Sequence, residues 1–179
     1  MDKKKIAIPL AAGAAAVLLY NACTPSMPKG ALPVQDFDAT KFLGKWFEIA
    51  RLDFRHEKNL NNVTADYSLK KDGSIKVVNR GYNYKKEEWE NAVGEARFVK
   101  EKTEGRLKVS FFKPFWSGYN VLDLVDYKYA LIAGDSLKYM WILSRITHIP
   151  EDVRLRFLRK AADLGYRTED LVWVEHQQI

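Results

Sequence analysis

The chain has 179 residues, of which 47% are hydrophobic and 29% are charged. These values fit one globular domain, and they exclude a disordered chain and a protein with several membrane spans. The formal net charge is +6, and the basic residues, Arg51 among them, are scattered along the chain. We assign them to a solvated face and expect no nucleic-acid partner, because a nucleic-acid surface requires clustered basic residues beside stacking aromatics.

The first residues have the composition of an export signal. Lysines at positions 3–5 precede an uncharged apolar run over 6–19. This run is shorter than the roughly 20 residues that a helix needs to span a bilayer. A charged start and a short apolar run are typical of a signal peptide, so residues 1–22 are predicted to be one.

A segment rich in proline follows the predicted signal. It contains Pro25, Pro28 and Pro33 and few side chains that could enter a core. Such a composition indicates an extended connection between folded units. Residues 23–33 are therefore predicted to form a tether, and the folded domain is predicted to cover 34–179.

Before the strands begin, a helical turn is expected between Asp38 and Phe42. From Gly44 onward, apolar and polar residues alternate, which is the period of a β-strand, and turn residues such as Gly73 separate the alternating runs. The predicted strands cover 46–54, 63–70, 74–84, 89–99, 106–112, 118–125, 128–133 and 139–145.

One face of these strands is apolar and the other is polar. An antiparallel sheet of eight strands exposes two edges unless it closes, and a closed sheet of eight strands is either filled by side chains or holds one small ligand. The sequence therefore predicts an all-β fold with an eight-stranded antiparallel up-and-down barrel.

The period changes after the eighth strand. Val153, Phe157 and Ala161 recur at helical spacing, Pro150 suits the first helical position, and Gly165 suits the end. A helix is predicted over 150–164, with its apolar stripe packed against the outside of the barrel. Residues 171–174 are predicted to form a short ninth strand.

The inward positions of the predicted strands combine small residues with aromatic ones, which favours a cavity over a filled interior. Glu48 and Asn79 are predicted to face inward, where they either orient a ligand headgroup or satisfy each other. Which side chains of the sixth strand face inward is undecided, because the alternation that begins at Tyr119 and the one that begins at Asn120 fit equally well. The candidate ligand-lining residues are Ala50, Ala65, Tyr67, Asn79, Phe98 and Phe111.

Catalytic motifs are missing from the sequence. It contains no Gly-x-Ser-x-Gly segment, and His56, His148 and His176 lack the spacing of metal ligands. We therefore expect a binding protein without a metal or cofactor rather than an enzyme.

The order of elements and several segments resemble the lipocalins, and in particular the bacterial outer-membrane lipocalin lipoproteins. The resemblance implies that Gly44 and Trp46 lie at the closed end of the barrel and that Arg145 packs across Trp46, as a structural floor rather than a ligand site. The segments that carry it cover 42–51, 63–69, 79–83, 108–112, 118–121 and 141–145.

The resemblance also implies a location and a ligand. The segment 19–23 is similar to a lipoprotein processing site, so Cys23 is expected to be lipidated and to anchor the protein at the periplasmic face of the outer membrane. The expected ligand is a fatty acid or a lysophospholipid, bound for storage or transport. The alternative is a structural envelope lipoprotein with a filled barrel. The role of three aromatic residues near turns is undecided: they line the mouth, touch the membrane surface or form a homodimer contact. These residues are Phe115, Trp116 and Trp89.

Overall fold

The computed structural model describes residues 25–55 and 57–177. The predicted signal peptide and Cys23 lie outside the described residues. No helix in this part of the chain is long and apolar enough to cross a membrane. The strands are β1 (Gly44–Leu52), β2 (Leu60–Leu69), β3 (Ile75–Asn83), β4 (Glu88–Phe98), β5 (Arg106–Ser110), β6 (Ser117–Val125), β7 (Tyr129–Ala133), β8 (Met140–Ser144) and β9 (Leu171–Trp173).

The first eight strands form a closed antiparallel barrel. Each strand from β1 to β7 pairs with the next one along the chain, and β8 pairs with β1 to close the wall. The predicted fold class is thereby confirmed, and the predicted strands match the observed ones to within a few residues. Closure removes the exposed edges that an open sheet of this size would have.

Strand β1 changes partners along its length. Its first residues, from Gly44 to Phe47, pair with β2, and its last residues, from Ala50 to Leu52, pair with β9. The pairing with β8 is interrupted by a β-bulge at Ile49, between Glu48 and Ala50. Because a bulge adds one residue to a strand, it reverses the inward and outward positions that follow it.

Helix α2 (Glu151–Asp163) packs against the outer wall of the barrel, as the sequence predicts. Its buried residues Val153, Phe157 and Ala161 form one apolar cluster with outward-facing residues of the wall. Ala50 belongs to this outer cluster. Its predicted place in the interior is therefore wrong, and the bulge at Ile49 is the reason.

The closed end is built from aromatic side chains. Helix α1 (Ala39–Phe42) is a single turn whose N-cap, Asp38, accepts a hydrogen bond from the Thr40 backbone amide. The Phe42 ring lies 4.7 Å from the ring of Trp46, which is 0% exposed. The Trp46 indole N–H donates to the Phe42 carbonyl at 2.8 Å, so the buried indole has its polar atom satisfied.

The Arg145 guanidinium covers the indole from outside. Its central carbon lies 3.9 Å from the centroid of the Trp46 ring, within the range of a cation–π interaction. Its N–H groups donate to four backbone carbonyls, those of Lys41, Leu43, Lys45 and Tyr127. The φ of Gly44 is +87°, a left-handed conformation that glycine adopts without strain.

The segment predicted as a tether is packed against the barrel. Pro28 and Ala31 are buried, and Ala31 joins the cluster beneath α2. The Ser26 hydroxyl donates to the Asp135 carbonyl at 2.9 Å, and the Val34 amide donates to the Val121 carbonyl at 2.8 Å. The folded part of the chain thus begins near Ser26 rather than at Val34.

Trp46→Ala is expected to lower the free energy of unfolding by about 3–5 kcal/mol, because a buried aromatic side chain is replaced by a cavity. Urea unfolding followed by circular dichroism gives this value. Trp173→Ala is the matched control, since Trp173 is 42% exposed and should lose much less. Equal losses in the two variants would contradict the structural role of the floor.

Candidate functional site

The barrel interior opens at one end only. The floor of Trp46 and Phe42 closes the end at which β1 begins. The opposite end carries four loops, at 53–59, 84–87, 111–116 and 134–139, which we call the mouth loops. Any ligand of the interior therefore enters through the mouth.

Two tyrosines bridge the interior just above the floor. Tyr67 on β2 and Tyr119 on β6 bring their hydroxyl oxygens to 2.8 Å, which makes a hydrogen bond. The Tyr67 ring also lies 5.4 Å from the Phe42 ring. Burial raises the pKa of both phenols, so both hydroxyls stay protonated near neutral pH. A ligand that enters through the mouth would therefore lie between the mouth and this pair.

Small side chains form the inner face of β3 and β4 above the tyrosines. Asn79 is in register with Ala92, and Val77 with Gly94. Ala92 lies on the same face of β4 as the buried Ala96, and yet it is exposed. An exposed residue on the inner face of a closed barrel means that the interior is accessible from the mouth.

Asn79 places an unpaired acceptor in this region. Its side-chain oxygen is buried and has no hydrogen-bond partner within 25–55 and 57–177. Leaving a buried acceptor unpaired costs roughly 1–3 kcal/mol. A ligand group that donates to this oxygen would recover that energy, so Asn79 is suited to contact the polar part of a ligand.

A buried charged cluster lies on the inner face of β1. The Arg51 side chain donates to the Glu48 carboxylate at 2.8 Å, and Arg51 is 1% exposed. It also donates to the Asp53 carboxylate at 3.3 Å and to the backbone carbonyls of Glu57 and Leu60 at 2.7 and 3.3 Å. These contacts hold the first mouth loop, 53–59, against the barrel.

The Glu57 carboxylate accepts a hydrogen bond from the Trp141 indole at 2.9 Å and lies 4.0 Å from the Arg51 guanidinium. Burial raises the pKa of Glu48 well above its ordinary value; repulsion from Glu57 adds to this and Arg51 opposes it. Burial likewise raises the pKa of Glu57. Because Glu48, Asp53 and Glu57 share one guanidinium, the cluster has no spare positive charge.

Two of the predicted ligand-lining residues lie low in the barrel. Ala65 is in register with Trp46, and the Phe98 ring lies 6.3 Å from the ring of Phe37. Both belong to the inner apolar cluster. They border the floor rather than the upper part of the interior.

Phe111 lies nearer the mouth, where its ring approaches Gly94 so closely that a Cβ there would meet it at 2.8 Å. Glu48 and Asn79 do not satisfy each other, because Glu48 pairs with Arg51 and the Asn79 oxygen is unpaired. Ligand contact by the inward residues stays a prediction.

Arg51 and Ala92 were not among the predicted ligand-lining residues, and the direction of Tyr119 was left undecided. Arg51 was assigned to the solvated face, which is wrong because the bulge at Ile49 turns it inward. Tyr119 faces inward, and an irregularity in the pairing of β6 with β7, between Val121 and Asp123, explains why no single alternation fits this strand. The sequence carries one sign of this reversal, because Glu48 lies three positions before Arg51 and has the opposite charge. Residues three apart lie on opposite faces of a regular strand, so the two can pair only where the strand is irregular.

A separate groove of about 490 Å³ lies on the outside of the wall. Its lining combines Lys45, Arg80 and Trp89 with His176 of the C-terminal residues. It combines polar and apolar side chains, and the barrel wall separates it from the interior. Among residues 25–55 and 57–177, no group of three His, Cys, Asp or Glu side chains is placed to hold a metal ion.

Comparison with known proteins identifies the family. A family model described as a lipocalin-like domain matches residues 37–176. The chain is a lipocalin. It is 44% identical over 170 residues to "Outer membrane lipoprotein Blc" of Escherichia coli (strain K12), an alignment that covers 94% of this chain and 96% of the relative. It is 43% identical over 162 residues to the protein of the same name from Vibrio cholerae, which covers 89% of this chain and 94% of that one.

A solved structure supports the same fold. Insecticyanin from the tobacco hornworm Manduca sexta superposes with a TM-score of 0.68 at 22% identity, over 86% of this chain and 88% of that one. The relatives confirm the resemblance to bacterial lipocalin lipoproteins and the predicted location at the outer membrane. For this lipocalin, the fold and the relatives support the binding of a small hydrophobic ligand.

The Glu48→Gln variant is expected to gain stability relative to the wild type as the pH rises above 4.5, the ordinary pKa of the group. Because the folded state raises this pKa, it binds more protons than the unfolded state in that window, and the free energy of unfolding falls with rising pH. Glutamine removes this slope. Urea unfolding of both proteins at a series of pH values above 4.5 measures how the free energy of unfolding changes with pH.

Glu151→Gln is the control of opposite sign, because the hydrogen bond from Arg154 lowers the pKa of Glu151 in the folded state. Removing that carboxylate should lower the relative stability of the variant as the pH rises toward 4.5. If Glu48→Gln and the wild type show parallel pH profiles, Glu48 does not hold a proton inside the barrel.

Proposed function

We propose that this lipocalin binds a fatty acid or a lysophospholipid in the barrel interior and stores or transports it at the cell envelope. The observation that carries the proposal is the accessible inner face above the tyrosine pair, where Ala92 is exposed inside a closed barrel. Its neighbours Val77, Gly94 and Phe111 supply an apolar lining. An acyl chain gains free energy from such a site because it leaves water.

The charged cluster suggests where the ligand's headgroup lies. Four of the five N–H groups of Arg51 already donate to protein oxygens. A ligand carboxylate placed beside Glu48 would therefore find no free cation. The polar end of the ligand is better placed toward the mouth loops, with the acyl chain pointing to the tyrosine pair; the Asn79 oxygen can accept from a ligand hydroxyl but not from an ionised carboxylate.

Ala92→Phe is expected to weaken binding of a fluorescent fatty-acid analogue by at least about tenfold, which corresponds to ~1.4 kcal/mol. The new ring would occupy the space of the acyl chain. Fluorescence titration measures the dissociation constant. Val93→Phe is the matched control, because Val93 is the next residue of the strand, faces outward and is 59% exposed.

Equal affinities for the two variants would place the ligand outside the barrel. If the delipidated wild type shows no saturable binding, and native mass spectrometry finds no lipid bound to the purified protein, a structural lipoprotein with a filled barrel is the better explanation.

We also propose that Cys23 is lipidated and holds the protein in the membrane. Cys23 is the only cysteine of the chain and directly follows the predicted signal peptide. Cys23→Ser is expected to move the protein from the membrane fraction to the soluble fraction, as fractionation and immunoblotting would show. Ser26→Ala serves as the control that leaves the anchor intact. A cleaved Cys23→Ser protein that still sediments with membranes would contradict acylation.

A further inference from the structure

The mouth loops carry large apolar side chains that the described chain leaves uncovered. Phe112 and Phe115 lie in one of these loops and are 75% and 76% exposed. Leu137, in the mouth loop between β7 and β8, is exposed as well. Trp116 differs, because the Lys108 ammonium lies 5.1 Å from its ring. The three uncovered side chains form an exposed apolar group at the rim of the barrel, while other exposed apolar residues, such as Leu32 and Leu69, are scattered over the remaining surface.

The mouth loops that carry these apolar residues also carry basic side chains, of which Lys86 and Lys113 pair with glutamates of β4. Every mouth loop contributes at least one exposed lysine or arginine, and two of the acidic residues in these loops, Asp53 and Glu57, face the buried Arg51. Aromatic residues interleaved with lysine and arginine suit the boundary between acyl chains and anionic headgroups. The exposed basic residues of the mouth loops are Arg55, Lys58, Lys85, Lys86, Lys113 and Lys138.

The path of the N-terminal segment provides an independent observation. The segment runs along the outside of β6, from the floor, where the Phe37 amide donates to the Thr103 carbonyl, to the mouth. There the Ser26 hydroxyl donates to the carbonyl of Asp135, which belongs to the mouth loop between β7 and β8. The Ser26 carbonyl also lies beside Gly118, where a Cβ would meet it at 2.7 Å. The packed chain thus ends at the rim.

Cys23 precedes Ser26 by three residues. Three residues of extended chain span at most about 11 Å. The point at which an acyl group would be attached to Cys23 is therefore within about 11 Å of Ser26 at the mouth, whereas β3, with its nine residues, extends roughly 27 Å along the wall toward the floor.

We propose that the mouth of the barrel faces the bilayer, with Phe112, Phe115 and Leu137 in the lipid interface and the floor directed away from it. The orientation rests on the proposed acylation of Cys23 and goes beyond it, because an anchor alone would allow the domain to tumble. In this arrangement a lipid passes between bilayer and cavity without crossing the aqueous phase. The exposed apolar rim and the short connection to Cys23 both keep the mouth at the bilayer surface.

Labels placed at the two ends of the barrel test the orientation. The protein used is the acylated chain, purified from membranes and reconstituted in vesicles of phosphatidylethanolamine and phosphatidylglycerol. Acylation takes up the only native thiol, so Phe115→Cys and Lys71→Cys each provide one site for a pyrene label. Lys71 is the matched control, because it is exposed in the turn between β2 and β3 at the floor end.

Lipids with a spin label near the headgroup are expected to quench the pyrene at position 115 and to leave that at position 71 unquenched. The reverse pattern, or no quenching at either position, overturns the orientation. Pyrene excimer emission at position 115 without lipid quenching also overturns it, since the rim would then contact a second copy. A protein that fails to sediment with the vesicles contradicts acylation, and with it the orientation, without bearing on ligand binding.

Discussion

The closed end of the barrel depends on the contact between the Arg145 guanidinium and the Trp46 ring. This contact joins the end of β8, the start of β1 and the turn after β6, which are far apart in the sequence. A guanidinium suits the position because it combines a flat face, which stacks on an indole, with N–H donors for carbonyls that strands leave unpaired at a barrel end. Since the floor is closed, the interior has one exit, and the features of the mouth decide what enters.

The alternation of apolar and polar residues was sufficient to predict the strands and the barrel, and the helical spacing of apolar residues after β8 predicted the outer helix. The alternation failed where a strand is irregular. The bulge at Ile49 reverses the faces of Ala50 and Arg51, so a residue predicted to line the cavity lies under the helix and a residue predicted to be solvated lies inside. The only mark of this bulge in the sequence is the pair of opposite charges at Glu48 and Arg51, because the bulge arises from the geometry of closure.

The floor was predicted by resemblance, whereas the upper part of the interior was not. The bridge between Tyr67 and Tyr119 joins strands β2 and β6, which are not neighbours in the sheet, and no local pattern links two such positions. The cluster around Arg51 depends on a loop that folds back, and loop conformation is weakly encoded in alternation. The N-terminal segment was predicted as a tether from its prolines, yet Pro28 and Ala31 are buried against the barrel.

The short strand β9 has a consequence for the integrity of the barrel wall. Beyond Phe47, β1 no longer pairs with β2. The chain that follows β9 lies between the two strands and bonds to both. The Val174 amide donates to the Ile49 carbonyl, and the Asn62 amide donates to the Glu175 carbonyl. Without these hydrogen bonds, β1 and β2 would expose unpaired amides and carbonyls along the side of the wall. Such an exposed strand edge can pair with another chain and lead to aggregation. The C-terminal residues therefore complete the hydrogen bonding of the wall between β1 and β2 and keep the barrel closed along its side.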